Sequence, residues 1–94
     1  MIRLAVIGNG ARVAGMIQLF QHLEPDLRVT AVIDPDEKNA RARLPEKDRA
    51  EARFFKDVPT LFRQARPDAV VIGTRCNLHT PYAVQVARYP VALF

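Results

Sequence analysis

Short runs of apolar residues alternate with longer segments of helical periodicity along the chain. The first run, Leu4 to Ile7, is continuously apolar, which is typical of a strand buried on both faces. From Ala11 to Leu23, apolar residues recur at three- and four-residue spacings, which predicts an amphipathic helix packed on a sheet. We expect the apolar stripe of this helix to comprise Val13, Met16, Ile17, Leu19, Phe20 and Leu23.

The same alternation continues to the end of the chain. Strands are predicted at 4–7, 28–33, 54–55, 69–73 and 90–94. Helices are predicted at 11–23, 37–44 and 80–88, with Thr80 as the cap of the last one, and a further helix begins after its N-cap Asp57. Residues 46–53 are charged and irregular, and we interpret them as a helical turn or a loop.

Strands that are separated by helices call for a parallel sheet with helices on both faces. The sequence therefore predicts an α/β fold, a doubly wound parallel sheet of Rossmann type with about five strands. The last apolar run, Pro90 to Phe94, reaches the end of the sequence, so we expect the sheet to be incomplete at its C-terminus.

Composition places the chain among ordinary folded proteins, since 49% of its residues are hydrophobic and 26% are charged. No apolar run approaches the roughly 18–20 residues that a membrane span needs, so we expect no membrane partner. The net charge of +4 comes from basic residues scattered among acidic ones, and we expect no nucleic-acid partner. The single cysteine, Cys76, favours a reducing compartment, the cytoplasm, and predicts neither a nucleophile nor a metal site.

The loop after the first strand carries the clearest candidate chemistry, a Gly-x-Gly between a strand and a helix. Gly8 permits a tight turn, Gly10 lets the backbone approach a pyrophosphate, and the N–H groups at the helix start bind the phosphates. A third glycine is expected at the position of Val13; either the helix lies farther from the strand, or Gly15 makes the close contact instead. The candidate residues for cofactor binding in this loop are Gly8, Asn9, Gly10, Ala11, Arg12 and Val13.

An acidic residue, Asp34, ends the second predicted strand about 20 residues after the glycine loop, as the dinucleotide fingerprint requires. A carboxylate at this position accepts hydrogen bonds from the ribose hydroxyls and repels a 2′-phosphate, which favours NAD over NADP as the cofactor. No Arg or Lys occupies positions 35–37, and Lys38 is the nearest base. The alternative interpretation makes Asp34 an ordinary turn residue before Pro35.

Three segments, taken in their order along the chain, resemble the Gfo/Idh/MocA oxidoreductases. The three segments are Ile2 to Gly10, Asp57 to Phe62, and Pro67 to Thr74 followed by Leu78-His79. The resemblance implies a nicotinamide-dependent enzyme that transfers hydride to or from a sugar, cyclitol or related hydroxyl substrate.

Family members continue from the fourth strand as Thr-Pro-Asn-x-x-His. By resemblance, Thr74, Asn77 and His79 are the candidates to contact the ribose and nicotinamide side of the cofactor. Arg75 and Cys76 replace the proline and asparagine of the family pattern. A second interpretation of His79 is a bond to the start of the next helix.

The family's catalytic lysine belongs to a Glu-Lys-Pro motif after the fifth strand, and its substrate is bound by a second domain. We therefore expect residues 1–94 to be the N-terminal part of a dinucleotide-binding domain, with no catalytic residue of their own and no turnover alone. The small-molecule substrate would be bound through the missing C-terminal domain, and a homo-oligomer of the complete protein is compatible with this interpretation. The alternatives are a non-catalytic nucleotide-sensing module or a Rossmann domain used for methyl transfer or CoA binding.

Overall fold

The chain forms an α/β structure in which strands and helices alternate as the sequence pattern predicts. In the computed structural model, residues 1–8, 10–73, 82 and 84–93 are described. The strands are β1 (Ile2–Ile7), β2 (Leu27–Ile33), β3 (Arg53–Phe54), β4 (Ala69–Ile72) and β5 (Ala92–Leu93). The helices are α1 (Ala11–Leu23), α2 (Glu37–Arg43), α3 (Glu46–Arg49) and α4 (Val58–Ala65). Of the helix expected at 80–88, residues 82 and 84–86 are helical, whereas Thr80 lies outside the described residues.

The described strands form one parallel sheet in the order β3-β2-β1-β4-β5. The chain first builds outward from β1 through β2 to β3, and then crosses back to place β4 on the other side of β1. This reversal confirms the predicted doubly wound sheet. It also creates a switch point between β1 and β4, where ligands of open α/β sheets bind outside the carboxyl ends of the strands.

Each face of the sheet carries its own core. Val13 and Ile17 of α1 pack with one set of strand side chains, and Leu61 and Phe62 of α4 pack with the other. Val6 and Val70 are fully buried, as expected for strands with helices on both faces. The continuous apolar runs of the sequence therefore mark the central strands.

The apolar stripe predicted for α1 is only partly correct. Val13 and Ile17 are buried, but Met16, Leu19 and Leu23 are 37%, 56% and 72% exposed. Because successive helical residues are 100° apart, the row of Met16, Leu19 and Leu23 lies roughly 90° around the helix axis from the row of Val13 and Ile17. A helix lying on a sheet buries one side, so an apolar surface wider than that side remains uncovered by the described residues.

A buried carboxylate, Asp48, joins the second strand to the neighbouring helices. Its side chain has no solvent exposure and accepts hydrogen bonds from the Arg28 guanidinium and from Gln21 Nε2, the latter at 2.7 Å. The Arg28 guanidinium also donates to the carbonyl of Lys47. The segment that the sequence left open as a turn or a loop is thus the short helix α3, which begins at Glu46.

Helix α4 begins as predicted. Asp57 Oδ1 accepts the Thr60 N–H at 2.8 Å, and this bond lowers the pKa of Asp57. The helix ends at Arg66, whose φ of 46° is left-handed. None of the helices within the described residues is long and apolar enough to span a membrane.

Candidate functional site

The first component of the site is the turn that follows β1. Gly8 has a φ of 81°, a left-handed conformation that favours glycine, and its N–H donates to the carbonyl of Ile33 at 2.8 Å. This bond joins the ends of β1 and β2. The tight turn expected at Gly8 is therefore present, and it directs the chain into α1.

Gly10 and the start of α1 form the second component. Gly10 is extended, with φ −83° and ψ 179°, and a Cβ placed on it would meet no atom of the described residues within 4 Å. The carbonyl of Gly10 accepts the Ala14 N–H at 3.0 Å, which closes the first helical turn. Among the described residues, no side chain caps this helix start, and no acidic residue lies in its first turn. The N–H groups at the positive end of the helix dipole are thus left without a described side-chain acceptor, an arrangement suited to an anion.

Val13, which stands where the fingerprint has its third glycine, is buried with only 4% exposure. A Cβ on Gly73, at the end of β4, would lie 2.0 Å from Val13 Cγ2 and 2.6 Å from the carbonyl oxygen of Gly8. Gly73 therefore makes the room that a glycine in the helix would otherwise provide. Gly15 does not make this contact with β1 or any other described strand, because a Cβ there meets no described atom within 4 Å, so that alternative is wrong. The Val13 side chain packs in the core, while Arg12 is exposed.

Asp34 follows the end of β2 and lies close to the glycine turn. Its Oδ1 accepts the Asp36 N–H at 2.9 Å, so the carboxylate does close the turn before α2. It also lines a cavity of about 310 Å³, and its predicted contact with a ribose stays a prediction. The described residues that line this cavity are Gly8, Ile33, Asp34, Pro35, Phe55, Lys56 and Tyr82.

The structure thus brings together candidates that are distant in sequence, namely the glycine turn and Asp34. It adds Gly73, whose signal in the sequence was a glycine directly after a buried strand. It also adds Lys56 and Tyr82, which no local sequence signal marks as site residues. Four predicted site residues lie outside the described part of the chain: Asn9, Thr74, Asn77 and His79. Among the described residues, no group of acidic, histidine or cysteine side chains is arranged to hold a metal ion.

A tight glycine turn, an open helix N-terminus and an acid at the end of the next strand are the parts of a dinucleotide site. A family model described as "Oxidoreductase family, NAD-binding Rossmann fold" matches residues 2–94. The chain belongs to the Gfo/Idh/MocA family. The resemblance stated from the sequence is confirmed, and so is NAD as the cofactor that the family binds.

Solved structures show the same fold. The myo-inositol dehydrogenase from Lactobacillus casei in complex with NAD(H) and myo-inositol aligns over the whole chain with a TM-score of 0.80 and 23% identity. GenD2 from gentamicin A biosynthesis in complex with NAD aligns over 98% of the chain with a TM-score of 0.77 and 22% identity. The chain spans 27% and 25% of these two structures, about a quarter of their length. A search of curated proteins finds no match.

Proposed function

We propose that the chain is the NAD-binding portion of an oxidoreductase that transfers hydride between the nicotinamide and a hydroxyl of a sugar, cyclitol or related substrate. One observation carries the binding part of this proposal. The turn at Gly8 and Gly10, the start of α1 and the carboxylate of Asp34 lie at the same carboxyl edge of the sheet, beside the switch point. The family description supports the oxidoreductase part.

Each described component has one task in this proposal. The N–H groups at the start of α1 bind the pyrophosphate, and Gly10 leaves the space through which it approaches. Asp34 accepts hydrogen bonds from the adenosine ribose. The nicotinamide supplies the hydride chemistry when it is bound, whereas the residues of this chain bind and orient the cofactor.

A preference for NAD over NADP is part of the proposal. The carboxylate of Asp34 lines the cavity where the ribose would lie. A 2′-phosphate in that cavity would meet a like charge, and the repulsion weakens its binding. On the other side of the cofactor, Thr74, Asn77 and His79 are proposed to contact the ribose and nicotinamide.

Catalysis is proposed to need residues beyond this chain. None of its residues is assigned as a catalytic acid or base, and the neighbouring structures are about four times as long. We assign substrate binding and proton transfer to a second domain, in an enzyme of the cytoplasm. The 94-residue chain should bind cofactor without turning over substrate.

Calorimetric titration of the chain with NADH, NADPH, S-adenosylmethionine and CoA tests the proposal. The expected result is that NADH binds most tightly of the four. Tight binding of S-adenosylmethionine or CoA with none of NADH would overturn it. Turnover of myo-inositol or glucose with NAD by the chain alone would contradict the assignment of catalysis to a second domain.

A further inference from the structure

The pairing of β2 with β3 brings two charged residues to the same end of the sheet. The parallel register aligns Ala31 with Arg53 and Val32 with Phe54. The Phe55 N–H donates to the Val32 carbonyl at 2.9 Å, so the alignment continues beyond the last strand pair. Two positions after this pair come Asp34 and Lys56, which follow the carboxyl ends of these two neighbouring strands.

Asp34 and Lys56 also line the same cavity. Of the described residues around it, Asp34 supplies the one carboxyl group and Lys56 the one amino group. Lys56 is exposed, and it forms no ion pair or hydrogen bond with any described residue. Lys38, the nearest base after Asp34 along the sequence, lies in the first turn of α2 and does not line the cavity.

The two charges act in opposite directions on a group at the ribose 2′ position. The Asp34 carboxylate accepts a hydrogen bond from a 2′-hydroxyl but repels a 2′-phosphate. The Lys56 ammonium is a strongly hydrated point charge on a flexible stem, which lets it reach and pair with a phosphate without a fixed geometry. A 2′-hydroxyl gains little from the ammonium. The pair therefore differs in its effect on the two cofactors.

We propose that Lys56 is a specificity-determining residue, which offsets the repulsion by Asp34 and gives the site its affinity for 2′-phosphorylated adenosine. This inference rests on the proposed function, because it assumes that the adenosine half of the cofactor occupies this cavity. Removal of Asp34 then makes the site prefer NADP, but only while Lys56 is present.

The test uses ligands that fill only the adenosine half, 5′-AMP and 2′,5′-ADP, titrated into the 94-residue chain by calorimetry at low salt. Lys56→Gln should lower the affinity for 2′,5′-ADP about tenfold, as expected for the loss of one charge-assisted hydrogen bond. The same variant should change the affinity for 5′-AMP less than about twofold. Lys56→Arg should retain the affinity for 2′,5′-ADP. Lys38→Gln removes the same charge from an exposed position outside the cavity, and it is the matched control that should change neither affinity.

Asp34→Asn and the double variant with Lys56→Gln complete the set. Asp34→Asn should raise the affinity for 2′,5′-ADP relative to that for 5′-AMP. The double variant should lose that gain in affinity. Circular dichroism checks that each variant is folded. We expect the Lys56→Gln variant to be folded, because Lys56 is exposed.

Failure of the inference is distinguishable from failure of the proposed function. If the wild-type chain binds NADH but Lys56→Gln leaves the ratio of the two adenosine ligands unchanged, Lys56 has no role in specificity. Equal losses of affinity for 2′,5′-ADP in Lys56→Gln and Lys38→Gln would show that the affinity depends only on the overall charge of the protein. That result would also overturn the inference. If the wild-type chain binds neither NADH nor either adenosine ligand, the proposed function itself is wrong.

Discussion

The Cγ2 atom of Val13 lies 2.0 Å from the point that a Cβ on Gly73 would occupy. The fingerprint places its glycine on the helix, and this chain places a valine there and the glycine on the facing strand end. Close packing of α1 against the sheet is therefore retained, because Gly73 leaves the room that Val13 needs.

Gly73→Ala should destabilise the chain by about 1–3 kcal/mol, because the added methyl group must displace both Val13 and the Gly8 carbonyl. Urea unfolding followed by circular dichroism measures the loss. The same substitution at Gly15, where a Cβ meets no atom of the described part of the chain, should be neutral or stabilising. Combining Gly73→Ala with Val13→Ala should recover part of the loss, and strict additivity of the two single variants would contradict the proposed packing.

Gly10→Val should abolish NADH binding without unfolding the chain. The side chain enters space that no described atom occupies, which is where the pyrophosphate would approach α1. Calorimetry measures the binding, and thermal unfolding checks the fold. Gly15→Val, within α1, is the matched control. Equal loss of NADH binding in both variants would show that the pyrophosphate does not bind beside Gly10.

Asp34→Ala should weaken NAD by about 1–3 kcal/mol, the range for hydrogen bonds to a charged group, and should improve NADP relative to NAD. The two dissociation constants provide the measurement. Asp34 also accepts the Asp36 N–H, so Asp34→Asn, which keeps an acceptor for that bond, separates loss of the turn from loss of the charge. Unchanged affinities for both cofactors would show that Asp34 serves the turn alone.

Arg28→Leu should cost about 2–4 kcal/mol of stability, because the fully buried carboxylate of Asp48 loses its cationic partner. Urea unfolding provides the measurement. Arg63→Leu is the control, since Arg63 is exposed and forms no ion pair with a described residue. Replacing Arg28 and Asp48 together by Leu should be less harmful than Arg28→Leu, and a larger loss in the double variant would contradict this explanation.

Acid should destabilise the fold partly through Asp68. The Arg3 N–H and guanidinium donate to its carboxylate, and the pKa of Asp68 is lowered as a result. Because the pKa of Asp68 is lower in the folded state, its ionised carboxylate stabilises the fold at pH values above the ordinary pKa of 3.8. This contribution is lost as the pH falls through the lower pKa of the folded state. Between about pH 5 and pH 2, the melting temperature of Asp68→Asn should fall less steeply than that of the wild type. Parallel slopes would exclude a contribution from Asp68.

The parts of the fold that the sequence predicted well are those with local signals. Gly10 and the Glu24-Pro25 pair mark both ends of α1, and Asp57 marks the start of α4. The exposed row of Met16, Leu19 and Leu23 was predicted to be buried, since periodicity shows that a surface is apolar but not what covers it.

The site divides in the same way. Gly8 and Asp34 were predicted because the fingerprint gives their spacing along the chain. The packing role of Gly73 and the position of Lys56 depend on contacts across the sheet, between β4 and α1 and between β2 and β3. No spacing in a single sequence specifies such contacts.

The apolar row on α1 affects how this chain behaves in solution. Met16, Leu19 and Leu23 present to water a helix surface whose other exposed residues include Gly15 and Gln18, with no acidic residue anywhere in the helix. Little charge repulsion keeps two such surfaces apart in solution, and self-association through this row would imitate weak ligand binding. Titrations of this chain should therefore be repeated at several protein concentrations, and Leu19→Lys is the change that would improve its solubility without touching the cofactor edge.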